Sequence, residues 1–151
     1  MSWVRIWVHL VFATKKRASY LNQNIRKDFF QHIKENAKEK GIWLDSVNGY
    51  AEHVHCLISL DKEQNISKIA QLIKGESSHW LNKSNLIHEK FIWQDDYWAS
   101  SVSDSHIINL REYIFNQEKH HKKTSFKEEL DIFMKNHELG NVKKKKGFDC
   151  K

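Results

Sequence analysis

The stretch "AEHVHCLISL", residues 51–60, is an apolar run that contains two histidines. Successive side chains of a β-strand point to opposite faces, so His53 and His55 share one face, and Val54, Cys56 and Ile58 share the other. The apolar face predicts a strand that packs against a helix-covered core. We interpret the histidine face as the uncovered side of the sheet, where two imidazoles stand side by side.

The elements around this strand predict an α+β fold. The first six predicted elements run β-α-β-β-α-β, which is the ferredoxin-like pattern of one antiparallel sheet with two helices on one face. Further helices follow in the C-terminal part. The predicted strands cover 3–14, 42–50, 53–60 and 91–102, and the predicted helices cover 23–40, 66–83, about 104–121 and 125–137.

Local signals mark several boundaries of these elements. Asn22 is a predicted N-cap of the first helix, and Gly41 is its predicted stop. Asn48-Gly49 is a turn signal that would join the second strand to 53–60 as a hairpin. The mixed polar and aromatic pattern of 91–102 predicts an edge strand that needs a partner.

Composition limits the class of protein. The 151 residues suit one domain, predicted over 1–139, with a basic tail over 140–151. No apolar run reaches the roughly 18 residues of a membrane span, and the N-terminus lacks the pattern of a signal peptide, so we expect a cytoplasmic protein without membrane contact. The formal charge of +6 favours a polyanionic partner, nucleic acid first.

The histidine pair is a candidate metal site. Two neutral imidazoles this close can bind one divalent ion. An ordinary pair of surface histidines has the same spacing, and two ligands do not complete a site. A third ligand must come from elsewhere in the chain.

The helix predicted at "LREYIFNQEKHH", residues 110–121, supplies a candidate for that ligand. Tyr113 and Gln117 lie on adjacent turns of one stripe beside the apolar face, with His120 nearby. The alternative is that Tyr113 only borders the core. With a metal on the two histidines and on Gln117, positions remain for phosphate oxygens, and Tyr113 becomes a candidate nucleophile. A phosphotyrosine bond would conserve the energy of the broken bond for rejoining.

These motifs resemble those of a known family. "EHVHCLIS" is similar to the HUH motif, and "YIFNQEKHH" is similar to the single-tyrosine helix of the IS-two-hundred/IS-six-hundred-five insertion-sequence transposases. Four other segments resemble the family in the same order, so that the resemblance covers roughly 3–137. These segments are "WVHLVFATKKR", "IAQLIKGESSHWLNK", "FIWQDDYWASSVSDS" and "HHKKTSFKEEL".

The resemblance implies an activity and its site. Single-stranded DNA at element ends, recognised beside imperfect hairpins, would be the substrate. His53, His55 and Gln117 would hold Mg²⁺ or Mn²⁺, and Tyr113 would form a 5′-phosphotyrosine and release a 3′-OH. Two subunits would merge their sheets into a homodimer, in which the tyrosine helix of one can complete the histidine site of the other.

Other residues are weaker candidates. DNA contact is expected from residues of the first turn and the second helix, although ordinary solvated positions explain them equally well. Glu52 and His120 are candidate outer partners of the metal ligands, and His9 is interpreted as a hydrogen-bonded structural histidine. The candidate DNA contacts are Lys15, Lys16, Arg17, Lys74, Ser77, Ser78 and His79.

The sequence departs from the family at "DDYWAS", residues 95–100, where a Gly-rich stretch is usual. Two other functions stay open. One is a non-catalytic, domesticated protein of the same fold that binds single-stranded or hairpin nucleic acid. The other is a metal-dependent nuclease that uses an activated water and does not need Tyr113.

Overall fold

A computed structural model describes residues 1–136. Asn22 accepts a hydrogen bond from the backbone of Asn24 as the predicted N-cap of the first helix, and Gly41 has the positive φ of +73° that favours glycine after a helix. The strands are β1 (Ile6–Thr14), β2 (Trp43–Gly49), β3 (His53–Leu60) and β4 (Trp93–Val102). The helices are α1 (Gln23–Glu39), α2 (Ile66–Lys83), α3 (Ile107–Phe115), α4 (Gln117–His121) and α5 (Phe126–Asn136).

The four strands form one antiparallel sheet in the order β2-β3-β1-β4. β1 lies between β3 and β4, while β2 and β4 are the edges. The predicted α+β class and the ferredoxin-like order of the first six elements are confirmed. β4 is an edge strand, as its mixed sequence pattern predicts.

The main core lies between the sheet and helices α1 and α2. Even-numbered side chains of β1 and β3 point into it, as the strand period requires. Burial raises the pKa of the Cys56 thiol, which therefore behaves as a small apolar core residue. Large buried members of this core include Leu10, Phe12, Phe29, Ile33, Val54, Ile58, Ile69 and Leu81.

The opposite face of the sheet is also covered, contrary to the prediction. His53 and His55 are both fully buried. Helix α3 lies over this face, and its Ile107 and Ile114 form a second apolar cluster with Leu57 of β3. The interpretation of the histidine face as the solvent side was wrong because α3 folds back over the sheet instead of extending from it.

The helix predicted over about 104–121 is interrupted. A 3₁₀ turn at Asp104–His106 precedes α3, which ends at Phe115. Asn116 leaves helical geometry, with φ −94° and ψ 24°, and α4 begins at Gln117. Tyr113 and Gln117 therefore belong to two successive helices.

The hairpin turn lies later in the chain than predicted. Asn48 and Gly49 still belong to β2, and the turn is formed by residues 50–52. A Cβ on Gly49 would lie 2.1 Å from the carbonyl oxygen of His53. Glycine is needed here for the close approach of two backbones, which the turn signal did not distinguish from a turn.

The chain divides into two compact units, Met1–Gln117 and Glu118–Lys151. The described part of the second unit contains α5 and most of α4. The predicted domain over 1–139 stays a prediction, and the predicted tail over 140–151 lies outside the described residues. Across residues 1–136 no helix combines the length and the apolar character that a membrane crossing requires.

Candidate active site

His53, the first residue of β3, is held through both of its ring nitrogens. Its Nδ1 lies 2.7 Å from Oε1 of the adjacent Glu52, and its Nε2 lies 3.1 Å from Oε1 of Gln117. The Gln117 amide is oriented by a second contact, in which its Nε2 donates to the carbonyl oxygen of Tyr113 at 3.3 Å. Glu52 thus contacts a candidate ligand, and its role as an outer partner of a metal site stays a prediction.

The contacts of His53 suit a cation. Both ring nitrogens face oxygen acceptors, a carboxylate and an amide carbonyl. A neutral imidazole carries only one N–H and donates only one of these two hydrogen bonds. A metal ion shared by the other nitrogen and the amide oxygen would satisfy both groups.

His55 adds the second imidazole. A nitrogen of His55 and one of His53 lie within 4.8 Å of each other, so the pair can hold a metal ion. Nδ1 of His55 lies 2.8 Å from Nε2 of His9, and the two rings are stacked with 5.1 Å between centroids. His9 is buried and meets Trp98 edge to face. The prediction of a hydrogen-bonded His9 is confirmed, and its partner is a candidate metal ligand.

Tyr113 lies beside this pair in the same chain. Its ring meets the ring of His55 nearly perpendicularly, with 5.6 Å between centroids and an interplanar angle of 87°. The side chain is half-buried and packs with the apolar cluster under α3. The structure therefore brings together Tyr113, Gln117, His53 and His55, which lie as far as sixty-four residues apart in sequence.

His120 lies in the second unit. Its Nε2 is 2.9 Å from Oε2 of Glu129, and Nε2 of His121 is 3.3 Å from the same oxygen. Glu129 is buried, so these two imidazoles provide the polar partners that a buried carboxylate requires.

Two of the candidate DNA contacts on α2 are used inside the fold. The ammonium of Lys74 donates hydrogen bonds to the backbone carbonyls of Gln94 and Asp95 at the start of β4. Burial lowers the pKa of Lys74, and this effect exceeds the opposing influence of the nearby carboxylates of Asp95 and Asp96. Both carboxylates belong to the stretch that departs from the family pattern.

Ser77 is fully buried, and its hydroxyl accepts a hydrogen bond from the indole N–H of Trp93 at 3.0 Å. This contact joins α2 to β4. Ser78 is half-buried and donates to the carbonyl of Gly75, whereas His79 is exposed. Of the α2 candidates, His79 is therefore the residue most accessible to a ligand.

The basic turn after β1 lies close to the histidines. Lys15 and Lys16 are exposed, and Arg17 is half-buried. The backbone N–H of Thr14 donates to the carbonyl of Glu52 at 2.8 Å, which joins this turn to the residue before His53. The turn is thus placed where a phosphate near the histidine pair would meet positive charge.

Three polar residues near the site, Asp45 and Asn48 of β2 and Arg111 of α3, are not among the predicted site residues. Asp45 and Asn48 of β2 both contact α3, through Arg111 and through the end of the helix, respectively. Asn48 was interpreted only as a turn residue. A charged or amide side chain inside a predicted strand is the signal that was available for both positions.

A comparison with known protein families identifies the family of this chain. The model of the family described as "Transposase IS200 like" matches residues 2–117. The chain belongs to this family of transposases, as the sequence motifs indicated. The match covers the whole first unit, including the histidine pair and Tyr113.

Two solved structures share the fold. One is a protein from Deinococcus radiodurans R1 whose assignment as a transposase is provisional, with 21% identity and a TM-score of 0.61 over 77% of this chain and 93% of that chain. The other is a REP-associated tyrosine transposase bound to a REP hairpin, with 18% identity and a TM-score of 0.60 over 80% of this chain and 72% of that chain. No curated protein matches the sequence significantly.

Proposed function

We propose that this chain is a single-tyrosine transposase that cleaves and rejoins single-stranded DNA at the ends of an insertion sequence. The observation that carries the proposal is the contact of Tyr113 with His55, 5.6 Å between ring centroids, in a chain that belongs to the IS200-like family. Gln117 supports it, because its amide contacts both His53 and the backbone of Tyr113.

His53, His55 and Gln117 would hold the metal ion, Mg²⁺ or Mn²⁺. A bound ion supplies positive charge that stabilises a phosphodiester under attack. Glu52 and His9 each contact one ring nitrogen of a ligand histidine and so fix the direction in which the other nitrogen points. The buried setting of both imidazoles strengthens these contacts relative to solvent.

The role of Tyr113 is that of the nucleophile. Its phenolic oxygen would attack the phosphorus, the bond to the 3′-oxygen would break, and a 3′-OH would leave with a proton. The DNA 5′-phosphate would remain on the tyrosine as a phosphodiester. Attack of another 3′-OH on that bond would rejoin the strands and restore the phenol.

The DNA would lie across the basic turn at Lys15–Arg17, with its hairpin bound by the same chain. The hairpin-bound neighbour of similar fold supports this part of the proposal. We further propose a homodimer formed through the exposed edge of β4. In the dimer, Tyr113 would reach either the histidine pair of its own chain or that of the partner subunit, and each histidine pair must meet one tyrosine.

A covalent-adduct assay tests the activity. Labelled single-stranded DNA from the flanks of the gene, including its hairpins, is incubated with the protein and Mg²⁺ or Mn²⁺. We expect a denaturant-resistant protein–DNA adduct that Tyr113→Phe abolishes without loss of DNA binding. Tyr20→Phe is the matched control, because Tyr20 packs on Phe91 on the opposite side of the sheet.

The same assay separates the two other functions. DNA binding without an adduct under either metal would indicate a domesticated binding protein. Cleavage that survives Tyr113→Phe but not His53→Ala would indicate a nuclease that uses an activated water. Either outcome would contradict the assignment of Tyr113 as the nucleophile.

A further inference from the structure

Helix α3 is a short helix that packs on the sheet through one apolar cluster. It has nine residues, and its buried members are Ile107 and Ile114. Two of its large apolar side chains, Ile108 and Phe115, are 69% and 80% exposed. A helix of this length is not stable alone in water, so its position depends on tertiary contacts.

The first polar contact comes from an irregularity in β2. The register of β2 against β3 shifts between Leu44 and Ser46, which makes Asp45 the extra residue of a β-bulge. Bulges redirect side chains. The carboxylate of Asp45 accepts two hydrogen bonds of 2.8 Å from the guanidinium of Arg111, which lies two residues before Tyr113 in α3.

The second contact comes from Asn48, near the end of β2. Its side-chain amide donates to the carbonyl oxygens of Ile114 and Phe115, both at 3.0 Å. Carbonyls in the last turn of a helix have no partner within the helix, so this amide serves as a cap. Asn48 also pairs with His55 across the sheet. Asn48 thus joins the end of α3, the helix that carries Tyr113, to the position in β3 of His55, a candidate metal ligand.

We propose that Asp45, Asn48 and Arg111 form a bracket that presents Tyr113 to the histidine pair of its own chain. The three are positioning residues, because they contact the helix and not the reacting groups. The inference rests on the proposed function for its catalytic consequence. Its structural part, the position of α3, can be measured independently of any reaction.

The geometry explains why both contacts are needed. The Asp45 contact precedes Tyr113 in α3, and the Asn48 contact follows it. Two attachments on either side of a residue fix both the place and the rotation of a short helix, whereas one attachment leaves it able to pivot. Small displacements of reacting groups reduce reaction rates about a hundredfold.

The test compares isosteric and conservative variants of the full chain. Asn48→Asp keeps the size of the side chain but replaces the amide donor with a carboxylate that faces two carbonyl oxygens. Arg111→Ala removes the other contact, and Arg111→Lys keeps the charge without the paired hydrogen bonds. Glu76→Gln is the matched control, because it alters the His32–Glu76 pair between α1 and α2 on the other layer.

Two measurements are made on each variant. Hydrogen exchange followed by mass spectrometry reports the protection of α3 without any substrate. Adduct formation at saturating DNA and Mn²⁺ reports the chemical step. We expect Asn48→Asp and Arg111→Ala each to expose α3 amides and to lower the adduct rate about tenfold, with little change in DNA or Mn²⁺ affinity. Arg111→Lys should recover part of the loss.

Unchanged α3 protection in Asn48→Asp and Arg111→Ala would overturn the bracket, and so would an equal loss of rate in Glu76→Gln. A wild-type protein that forms no adduct would contradict the proposed function alone, because the exchange measurement would still decide whether the bracket holds α3. Loss of α3 protection together with full adduct rates would show that the bracket holds the helix but does not position Tyr113.

Discussion

The two faces of β3 are equally buried but are built from different chemistry. Val54, Cys56 and Ile58 are fully buried against α1 and α2, and His53 and His55 are fully buried on the other face. Apolar packing is non-directional and tolerates exchange of similar side chains. Each imidazole instead has named partners at fixed distances. Burial alone therefore does not distinguish an apolar core from a candidate functional site. The directional contacts of the buried side chains do distinguish them.

The largest effects are expected from substituting one residue on each face of β3, Ile58 on the apolar face and His55 on the histidine face. Ile58→Ala should lower the free energy of unfolding by about 2–5 kcal/mol, because it leaves a cavity in the main core. It should leave the Mn²⁺ affinity of the folded protein nearly unchanged. His55→Ala should remove Mn²⁺ binding, because one imidazole cannot hold the ion alone. Urea denaturation and Mn²⁺ titration by electron paramagnetic resonance measure the two quantities.

The comparison would fail if the two variants behaved alike. Strong Mn²⁺ binding by His55→Ala would place the metal elsewhere in the chain. A similar loss of Mn²⁺ affinity in Ile58→Ala, measured under conditions in which it is folded, would show that the two faces are not independent. Circular dichroism of each variant confirms that the folded state is the one compared.

A smaller effect is expected from the outer partners of the ligands. Glu52→Gln replaces the carboxylate at Nδ1 of His53 with a neutral amide, and His9→Phe removes the imidazole that contacts Nδ1 of His55. Loss of such partners typically lowers metal affinity about 10–100-fold. Mn²⁺ titration of both variants checks this range. An affinity unchanged in His9→Phe would leave His9 as a packing residue only.

Most of the sheet could be predicted from the sequence. Alternation in β1 and β3, the Asn22 cap and the Gly41 stop are local signals, and the structure follows them. The interruption at Asn116 could not be predicted, because no Pro or Gly stands in 110–121 to mark it. At this interruption the Asn48 side chain donates to the last carbonyls of α3, a contact that local sequence does not show.

The candidate site was predicted more fully in its residues than in its surroundings. The spacing of His53 and His55 and the family motif predicted a pair of neighbouring imidazoles, which the structure shows side by side, and their role as metal ligands stays a prediction. The cover over that face could not be predicted, because it depends on where α3 folds back. Asp45 and Asn48 stand out only as polar residues inside a predicted strand. Their partners could not be predicted, since Arg111 and the end of α3 are sixty-six or more residues away.

A further expected effect concerns the backbone behind the histidines. Gly49→Ala places a Cβ 2.1 Å from the His53 carbonyl, so the strands must separate. Overpacking of this kind costs about 1–3 kcal/mol and should also weaken Mn²⁺ binding. Gly75→Ala is the matched control, because nothing lies within 4 Å of its Cβ inside α2. It should stabilise the fold by about 0.5–1 kcal/mol. Equal stabilities of the two variants would contradict the close approach at Gly49.

The smallest expected effect is the pH dependence of the bracket at Asp45. Burial raises the pKa of this carboxyl, but hydrogen bonds from Arg111 and Ser46 and the charges of Arg111 and Lys34 outweigh burial and leave the pKa below its ordinary value. A group whose pKa is lowered on folding stabilises the folded state above its ordinary pKa. That contribution is lost as the pH falls through the lowered value.

In the wild type, protection of α3 from hydrogen exchange, corrected for intrinsic rates, should therefore fall as the pH drops below about 4. The Asp45→Asn variant should show weaker protection of α3 than the wild type at neutral pH. Its protection should not fall further through protonation of this side chain, because an asparagine does not titrate. Protection of α2 should not follow the same curve, because α2 packs on the other face of the sheet and contributes none of the groups that shift the pKa of Asp45. A wild-type curve identical to that of Asp45→Asn would mean that the ion pair does not hold α3, and Asn48 would then be the main attachment of the tyrosine helix to β2.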